Sequence, residues 1–60
     1  MVKSVKYNEQ VGTLDVEYHN GSKNRYYLVT PKVFEKYFDC KSANEFVRKF
    51  IEGNFPSRPI

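Results

Sequence analysis

The 60-residue chain has room for one domain, predicted over residues 1–60, and a chain this short buries only about 60% of its unfolded surface. One cysteine and one histidine exclude an internal disulfide and a structural zinc site, so five Tyr and five Phe must supply much of the core. The formal charge of +3 is mildly basic, and the basic residues do not form the clustered stripe typical of nucleic-acid binders.

Hydropathy along the chain predicts no contact with a membrane. No apolar run approaches the ~20 residues that a spanning helix needs. The segment from Met1 to Lys6 also lacks the apolar stretch of a signal peptide. Because the single thiol, Cys40, has no partner for a disulfide, we expect a cytoplasmic protein.

Alternation of apolar and polar side chains predicts two strands, residues 2–8 and 13–19. The first strand directs Val5 and Tyr7 to one face. The second directs three apolar residues to one face and three polar residues to the other: Leu14, Val16 and Tyr18 against Asp15, Glu17 and His19. Asn20-Gly21 then gives a strong hairpin signal.

A third strand is predicted over residues 24–29, with apolar side chains on both faces. Tyr26 and Leu28 share one face. Arg25, Tyr27 and Val29 share the other face, which we expect to be partly covered. The strand is expected to lead into the next element with almost no loop.

Two short amphipathic helices follow. Thr30 is the N-cap of the first, with Pro31 in its first turn, and Ser42 caps the second, with Glu45 at the capping-box spacing. Each helix carries an apolar stripe: Val33, Phe34, Tyr37 and Phe38 in the first, and Phe46, Val47, Phe50 and Ile51 in the second.

The second helix is expected to end at Gly53, a residue suited to the C′ position. The tail, residues 54–60, contains two prolines and is predicted to be extended, with Phe55 folded back onto the core. The element order therefore predicts an α+β fold (β-β-β-α-α), a three-stranded antiparallel meander with both helices on one face.

The residue types that often act in catalysis are interpreted here as structural or solvated side chains. His19 is predicted to be a solvated hairpin residue, and Cys40 a half-buried spacer between the helices. Asp15 and Glu17 are expected to pair across the sheet with basic side chains of the neighbouring strands. The sequence has no Gly-rich phosphate loop and no metal-spaced cluster, so we expect no catalytic residues, no metal and no cofactor.

Two surfaces are candidates for binding. The first is the polar face of the sheet, where Lys6, Arg25 and Tyr27 place a ring beside two cations, as in sheets that stack single-stranded bases. Asp15 and Glu17 lie on the same face, and their negative charges would repel phosphate. The second is a basic edge formed by Lys32, Lys36, Lys41, Arg48, Lys49 and Arg58. A solvated helical surface is the default interpretation of that edge.

The chain also resembles the KTSC domain, a module of about sixty residues found alone in bacterial and phage proteins and at the C-terminus of some lysyl-tRNA synthetases. The resemblance rests on an ordered set of segments: Gly12 to Tyr18, Asn20-Gly21, Arg25 to Val29 with Pro31 and Val33-Phe34, Ser42 to Phe46, and Ile51 to Pro56. Here Asn24 stands where the family pattern has a ring, and Glu52 where it often has a basic residue. The synthetase context implies RNA binding.

The leading hypothesis from the sequence is therefore a non-catalytic module that binds nucleic acid, with RNA as the expected partner. The residues assigned to this contact are Lys6, Arg25, Tyr26, Tyr27 and Lys49. The rival hypothesis is a protein-binding module, either an effector of the phage type or a homodimer formed through strand 1 or strand 3.

Overall fold

The computed structural model describes residues 1–60 and contains one antiparallel sheet with the strand order β1-β2-β3-β4. Its strands are β1 (Val2–Asn8), β2 (Thr13–Tyr18), β3 (Lys23–Tyr26) and β4 (Ser57–Pro59). The predicted α+β architecture, a meander of three strands followed by two helices, is confirmed. The tail adds the fourth strand, which the sequence indicated only as an extended segment.

The first two strands follow the predicted alternation. Leu14 and Val16 are fully buried, and Val5 and Tyr7 pack against the core from β1. The pairing register shifts between Val2 and Ser4, which indicates a bulge at this point in β1. In a regular strand, Val2 would point to the face opposite Val5 and Tyr7. The shift in register allows its side chain to join the same core.

The β2–β3 connection is the turn that Asn20-Gly21 predicts. Gly21 has a φ of 89°, a conformation that glycine adopts without steric cost. The Asn20 side-chain oxygen accepts hydrogen bonds from the backbone N–H and the hydroxyl of Ser22 at 2.9 and 2.7 Å. The side chain therefore fixes the turn that sets the β2–β3 register.

The predicted third strand is too long, because β3 ends at Tyr26 and residues 27–30 lead to the first helix. Leu28 has a φ of 65° and is 74% exposed, whereas Val29 is buried. The positive φ interrupts the strand alternation, so Val29 rather than Leu28 enters the core. Backbone bonds hold this arrangement: Tyr27 N–H donates to Pro56 O at 2.8 Å and Val29 N–H donates to Gly12 O at 2.9 Å.

This conformation predicts that Leu28→Gly raises the free energy of unfolding by up to about 1 kcal/mol, since glycine removes the cost of the left-handed backbone. The control is Val11→Gly, at an exposed apolar loop residue without a positive φ. There we expect a loss of about 0.5–1 kcal/mol from the greater entropy of the unfolded chain. Urea unfolding measures both, and losses of equal size would contradict the prediction.

The first helical segment consists of α1 (Pro31–Glu35) and a 3₁₀ turn (Lys36–Asp39). The Thr30 hydroxyl accepts a hydrogen bond from the Val33 N–H at 3.4 Å, which confirms the predicted cap. The prediction for Phe38 is wrong: its side chain is 72% exposed. A 3₁₀ turn has three residues per turn instead of 3.6, so the apolar stripe drifts and its last member points away from the core.

The second helical segment consists of α2 (Ala43–Phe46) and a π-helical turn (Val47–Ile51). The Ser42 hydroxyl accepts from the Glu45 N–H at 3.2 Å, as predicted. The Glu45 carboxylate accepts from Lys41 N–H at 2.7 Å, one residue before the position of a standard capping box. Gly53 follows with a φ of 80°, which confirms its predicted place at the helix end.

The core lies between the sheet and the helical layer. Its buried members are all apolar or aromatic: Val2, Leu14, Val16, Tyr26, Val29, Phe46, Val47 and Ile51. Phe55 packs against this cluster from the tail, as predicted. None of the helices is long and apolar enough to cross a bilayer. The sheet thus has one face covered by helices and one face open, and the open face carries the polar alternation of each strand.

Candidate functional site

The open face of the sheet has a row of charged residues in register across all four strands. Lys6 on β1 pairs with Asp15 on β2, Asp15 with Arg25 on β3, and Arg25 with Arg58 on β4. Directly paired residues in an antiparallel sheet project from the same face. The fourth strand thus brings Arg58 to the sheet face and away from the basic helical edge with which the sequence grouped it.

Asp15 and Arg25 form a bidentate pair at the centre of this row. Arg25 Nε donates to Asp15 Oδ1 at 2.7 Å, and Nη2 donates to Oδ2 at 3.0 Å. The hydrogen bond from Arg25 lowers the pKa of Asp15, and the charges of Arg25, Lys6 and Lys23 lower it further. The same hydrogen bond raises the pKa of Arg25. This confirms the predicted pairing of Asp15 across the sheet.

Three cationic side chains near that pair form no ion pair with a carboxylate. The ion pairs within 4.0 Å are Lys3–Glu17, Arg25–Asp15 and Lys49–Glu45. Lys6, Lys23 and Arg58 have no such partner. A shallow depression lies beside the pair, and two of the three cations line it, Lys6 and Lys23, together with Ser4, Asp15, Glu17, Arg25 and Ile60. The open face therefore has excess positive charge around a pair whose net charge is zero.

Tyr27 lies beside this row, at the end of β3. It is half-buried, and its phenol contributes to the raised pKa of Arg25. Tyr27 directly follows the last residue of β3, and continuation of the strand alternation by one residue would direct its side chain to the side of Arg25. The structure therefore brings together three of the five predicted binding residues, Lys6, Arg25 and Tyr27.

The other two predicted residues do not join them. Tyr26, which the sequence analysis assigned to the binding site, is only 5% exposed and belongs to the core, so its ring is not accessible on the open face. Its phenol oxygen lies 3.5 Å from that of Tyr18, whose hydroxyl donates to Glu52 at 3.2 Å. Burial raises the pKa of Tyr18, the outcome expected for a phenol in a structural network.

Lys49 lies in the helical layer, on the other side of the sheet from Lys6 and Arg25. Its ammonium is 3.0 Å from the Glu45 carboxylate, one turn earlier, and this contact raises the pKa of Lys49. Lys36, also in the helical layer, lies 5.6 Å from the centre of the Phe50 ring. These local partners support the interpretation of the basic edge as a solvated helical surface.

His19 and Cys40 have the positions that the sequence predicts. His19 is exposed beside the β2–β3 turn, and its backbone N–H donates to Met1 O at 2.9 Å. Cys40 is half-buried and packs against the core. The sequence analysis left out Lys23 and placed Arg58 on the basic helical edge instead of the sheet face. Lys23 continues the alternation of β3 and could have been recognised, whereas Arg58 depends on the non-local β3–β4 pairing.

Comparisons with known proteins give one family. The sequence model of the KTSC domain matches residues 1–55. The chain is 33% identical over 55 residues to a lysine–tRNA ligase of Nostoc punctiforme, a match that covers 92% of this chain but only 10% of the ligase. A crystal structure of a KTSC domain protein from Yersinia pestis shares the fold with a TM-score of 0.83, at 22% identity, over 98% of this chain and 83% of that one.

Proposed function

Because the chain belongs to the KTSC domain family, we propose that it is a non-catalytic module that binds single-stranded RNA on the open face of its sheet. The observation that carries this proposal is the set of cations without carboxylate partners, Lys6, Lys23 and Arg58, around the neutral Asp15–Arg25 pair. Cations that are free of local ion pairs are available to neutralise phosphates. The contact needs no cofactor or metal.

Tyr27 supplies the second element of such an interface. Modules that bind single strands combine a cationic groove with rings on which bases stack. Tyr27 is the ring next to the charged row, and its neighbour Arg25 offers a guanidinium plane that also stacks on bases. A single strand fits this arrangement better than a duplex, because stacking on a side chain requires an unstacked base.

The lysine–tRNA ligase relative supports RNA as the nucleic acid. That protein is named for a reaction on tRNA, and it contains a segment similar to most of this chain. The chain spans about a tenth of the ligase, so the ligase reaction itself is not transferred to it. The proposal extends only to RNA contact. It includes a cytoplasmic location for the protein, the compartment in which tRNA is used.

A second candidate function, protein binding, is favoured by an apolar end of the molecule. Val11 and Leu28 are both exposed, and the bond from Val29 N–H to Gly12 O holds their two loops together. The outer edge of β3 is already paired with β4, so it is not available for pairing with a second copy of the chain. Strand β1 remains the outermost strand on the other side. A sizing experiment on the free protein distinguishes a homodimer from a monomer.

The test of RNA binding is a titration of a single-stranded RNA oligomer over a series of salt concentrations. Contacts by the three unpaired cations predict a slope of log affinity against log salt of about −2, since each phosphate contact in a single strand contributes about −0.7. Affinity should then fall about twentyfold between 50 and 200 mM salt. Absence of binding at low salt would overturn the proposal.

A pair of triple variants locates the interface. The test variant is Lys6→Gln/Lys23→Gln/Arg58→Gln on the sheet, and the control is Lys32→Gln/Lys36→Gln/Lys41→Gln in the helical region. Both remove the same formal charge. The sheet variant should lose most of the salt-dependent affinity and the helical variant little of it. Equal losses would show that net charge, and not the open face, determines binding.

A further inference from the structure

We propose that the Asp15–Arg25 pair reads a base of the bound strand and selects guanine, with the flanking cations taking the phosphates. This inference rests on the proposed function and goes beyond it, because it assigns a base preference to a particular pair of side chains. It also gives Asp15 a role. From the sequence, Asp15 is expected to pair with a basic side chain and to repel phosphate, whereas in the structure its bidentate contact also positions Arg25.

The geometry of the pair leaves one edge of the guanidinium free. Arginine has five N–H donors in a planar fork. Asp15 occupies the side edge, taking one hydrogen from Nε and one from Nη2 at 2.7 and 3.0 Å. The end edge, made of Nη1 and the second hydrogen of Nη2, remains available. That edge presents two parallel donors, and the bidentate contact with Asp15 fixes the direction in which they point.

The electrostatics favour a neutral acceptor on this edge over a phosphate. The Asp15 carboxylate balances the charge of Arg25, so a phosphate at the pair would meet repulsion from Asp15 as well as attraction from Arg25. Lys6, Lys23 and Arg58 have no such counter-charge within 4.0 Å, and they lie around the pair. Phosphates therefore go to these cations, and the Arg25 edge is left for a base.

Guanine fits the free edge. Its O6 and N7 atoms form a pair of acceptors on one edge, and bidentate contact with arginine is the most common specific contact to this base. Adenine places an amino donor beside N7, which faces the guanidinium donors unfavourably. The approach is open, because the Arg25 side chain is 42% exposed and that of Asp15 is 29% exposed. Ile60 lines the same depression and offers an apolar contact for the base.

The experiment compares RNA oligomers of ten nucleotides that differ at one position. A uridine oligomer with a single central guanosine is titrated beside oligomers with uridine, cytidine, adenosine or 7-deazaguanosine there. A single guanosine avoids association between strands. We expect the guanosine oligomer to bind about tenfold more tightly than the others, the factor that one bidentate pair gives. The 7-deaza base lacks N7 and should lose that advantage.

Two variants test the roles within the pair. Arg25→Lys keeps the charge but removes the fork, so it should abolish the guanosine preference and make the affinities for the guanosine and uridine oligomers equal. Asp15→Asn removes the negative charge and the strong orienting bonds. It should reduce the guanosine preference, tighten binding of the uridine oligomer and steepen its salt dependence, because Arg25 then becomes available to a phosphate.

The outcomes separate this inference from the proposed function. Equal affinity of the wild-type protein for all five oligomers, with the expected salt dependence, would overturn the base-reading role and leave RNA binding in place. A preference for cytidine or adenosine would overturn the assignment to guanine. Failure of every oligomer to bind at low salt would overturn both. The comparison of guanosine with 7-deazaguanosine uses only wild-type protein, so it does not depend on whether a variant folds.

Discussion

Phe46→Ala should lower the free energy of unfolding by about 3–5 kcal/mol, the usual cost of removing a fully buried ring. Phe46 has no exposed surface and lies at the centre of an aromatic cluster, with ring centres 6.1 Å from Phe34, 5.4 Å from Tyr37 and 6.1 Å from Phe50. A 60-residue domain has a total stability of about 3–9 kcal/mol. The variant is therefore expected to be largely unfolded at 37 °C.

The control for this prediction is the same substitution at Phe38, which lies in the same helical layer but is 72% exposed. Its ring meets Phe34 edge-on at 5.7 Å, so we expect a loss of only about 0.5–1 kcal/mol. Thermal unfolding followed by circular dichroism measures both variants. Similar losses at the two positions would show that the helical layer does not pack on the sheet as described.

Tyr27→Ala should weaken the binding of single-stranded RNA by about tenfold or more, because stacking of one base on a ring contributes about 1–3 kcal/mol. The slope of affinity against salt should change little, since the variant removes no charge. Tyr27 is half-buried, and its backbone, not its side chain, makes the 2.8 Å bond to Pro56. The loss of the side chain therefore leaves the β3–tail contact in place.

Two variants make the result on Tyr27 specific. Tyr27→Phe keeps the ring and should bind RNA within about twofold of wild type. If Tyr27 instead acted through a hydrogen bond from its hydroxyl to the RNA, Tyr27→Phe would bind as weakly as Tyr27→Ala. Phe38→Ala removes an exposed ring from the helical side and should leave affinity unchanged. A loss on Phe38→Ala equal to that on Tyr27→Ala would place the RNA on the helical side of the molecule.

Local signals in the sequence were sufficient for most of the secondary structure. Leu14 and Val16 alternate with Asp15 and Glu17, a pattern that predicts a strand with one buried face and one exposed face. The structure has β2 at these residues. Asn20-Gly21, Thr30-Pro31 and Ser42 each act through contacts within three residues, so tertiary structure did not alter them. The same alternation predicted that Lys6, Arg25 and Tyr27 share the polar face of the sheet.

Tertiary contacts decided where β3 ends. Residues 24–29 read as a continuous strand, yet Leu28 takes a positive φ and Val29 replaces it in the core. The reason is the pairing of Val29 with Gly12 and of Tyr27 with Pro56, partners 17 and 29 positions away in the sequence. Periodicity reports only local burial, so such distant backbone bonds leave no signal in it.

The composition of the candidate site divides in the same way. The sequence by itself determined the fold class and the polar face of the sheet, because a period of two fixes which side chains point together. Only the tertiary structure decided that Arg58 joins that face, that Lys49 lies on the opposite side, and that Tyr26 is enclosed. Each of these outcomes depends on the packing of the tail and the helices against the sheet, and burial by distant segments is a property of the folded chain as a whole.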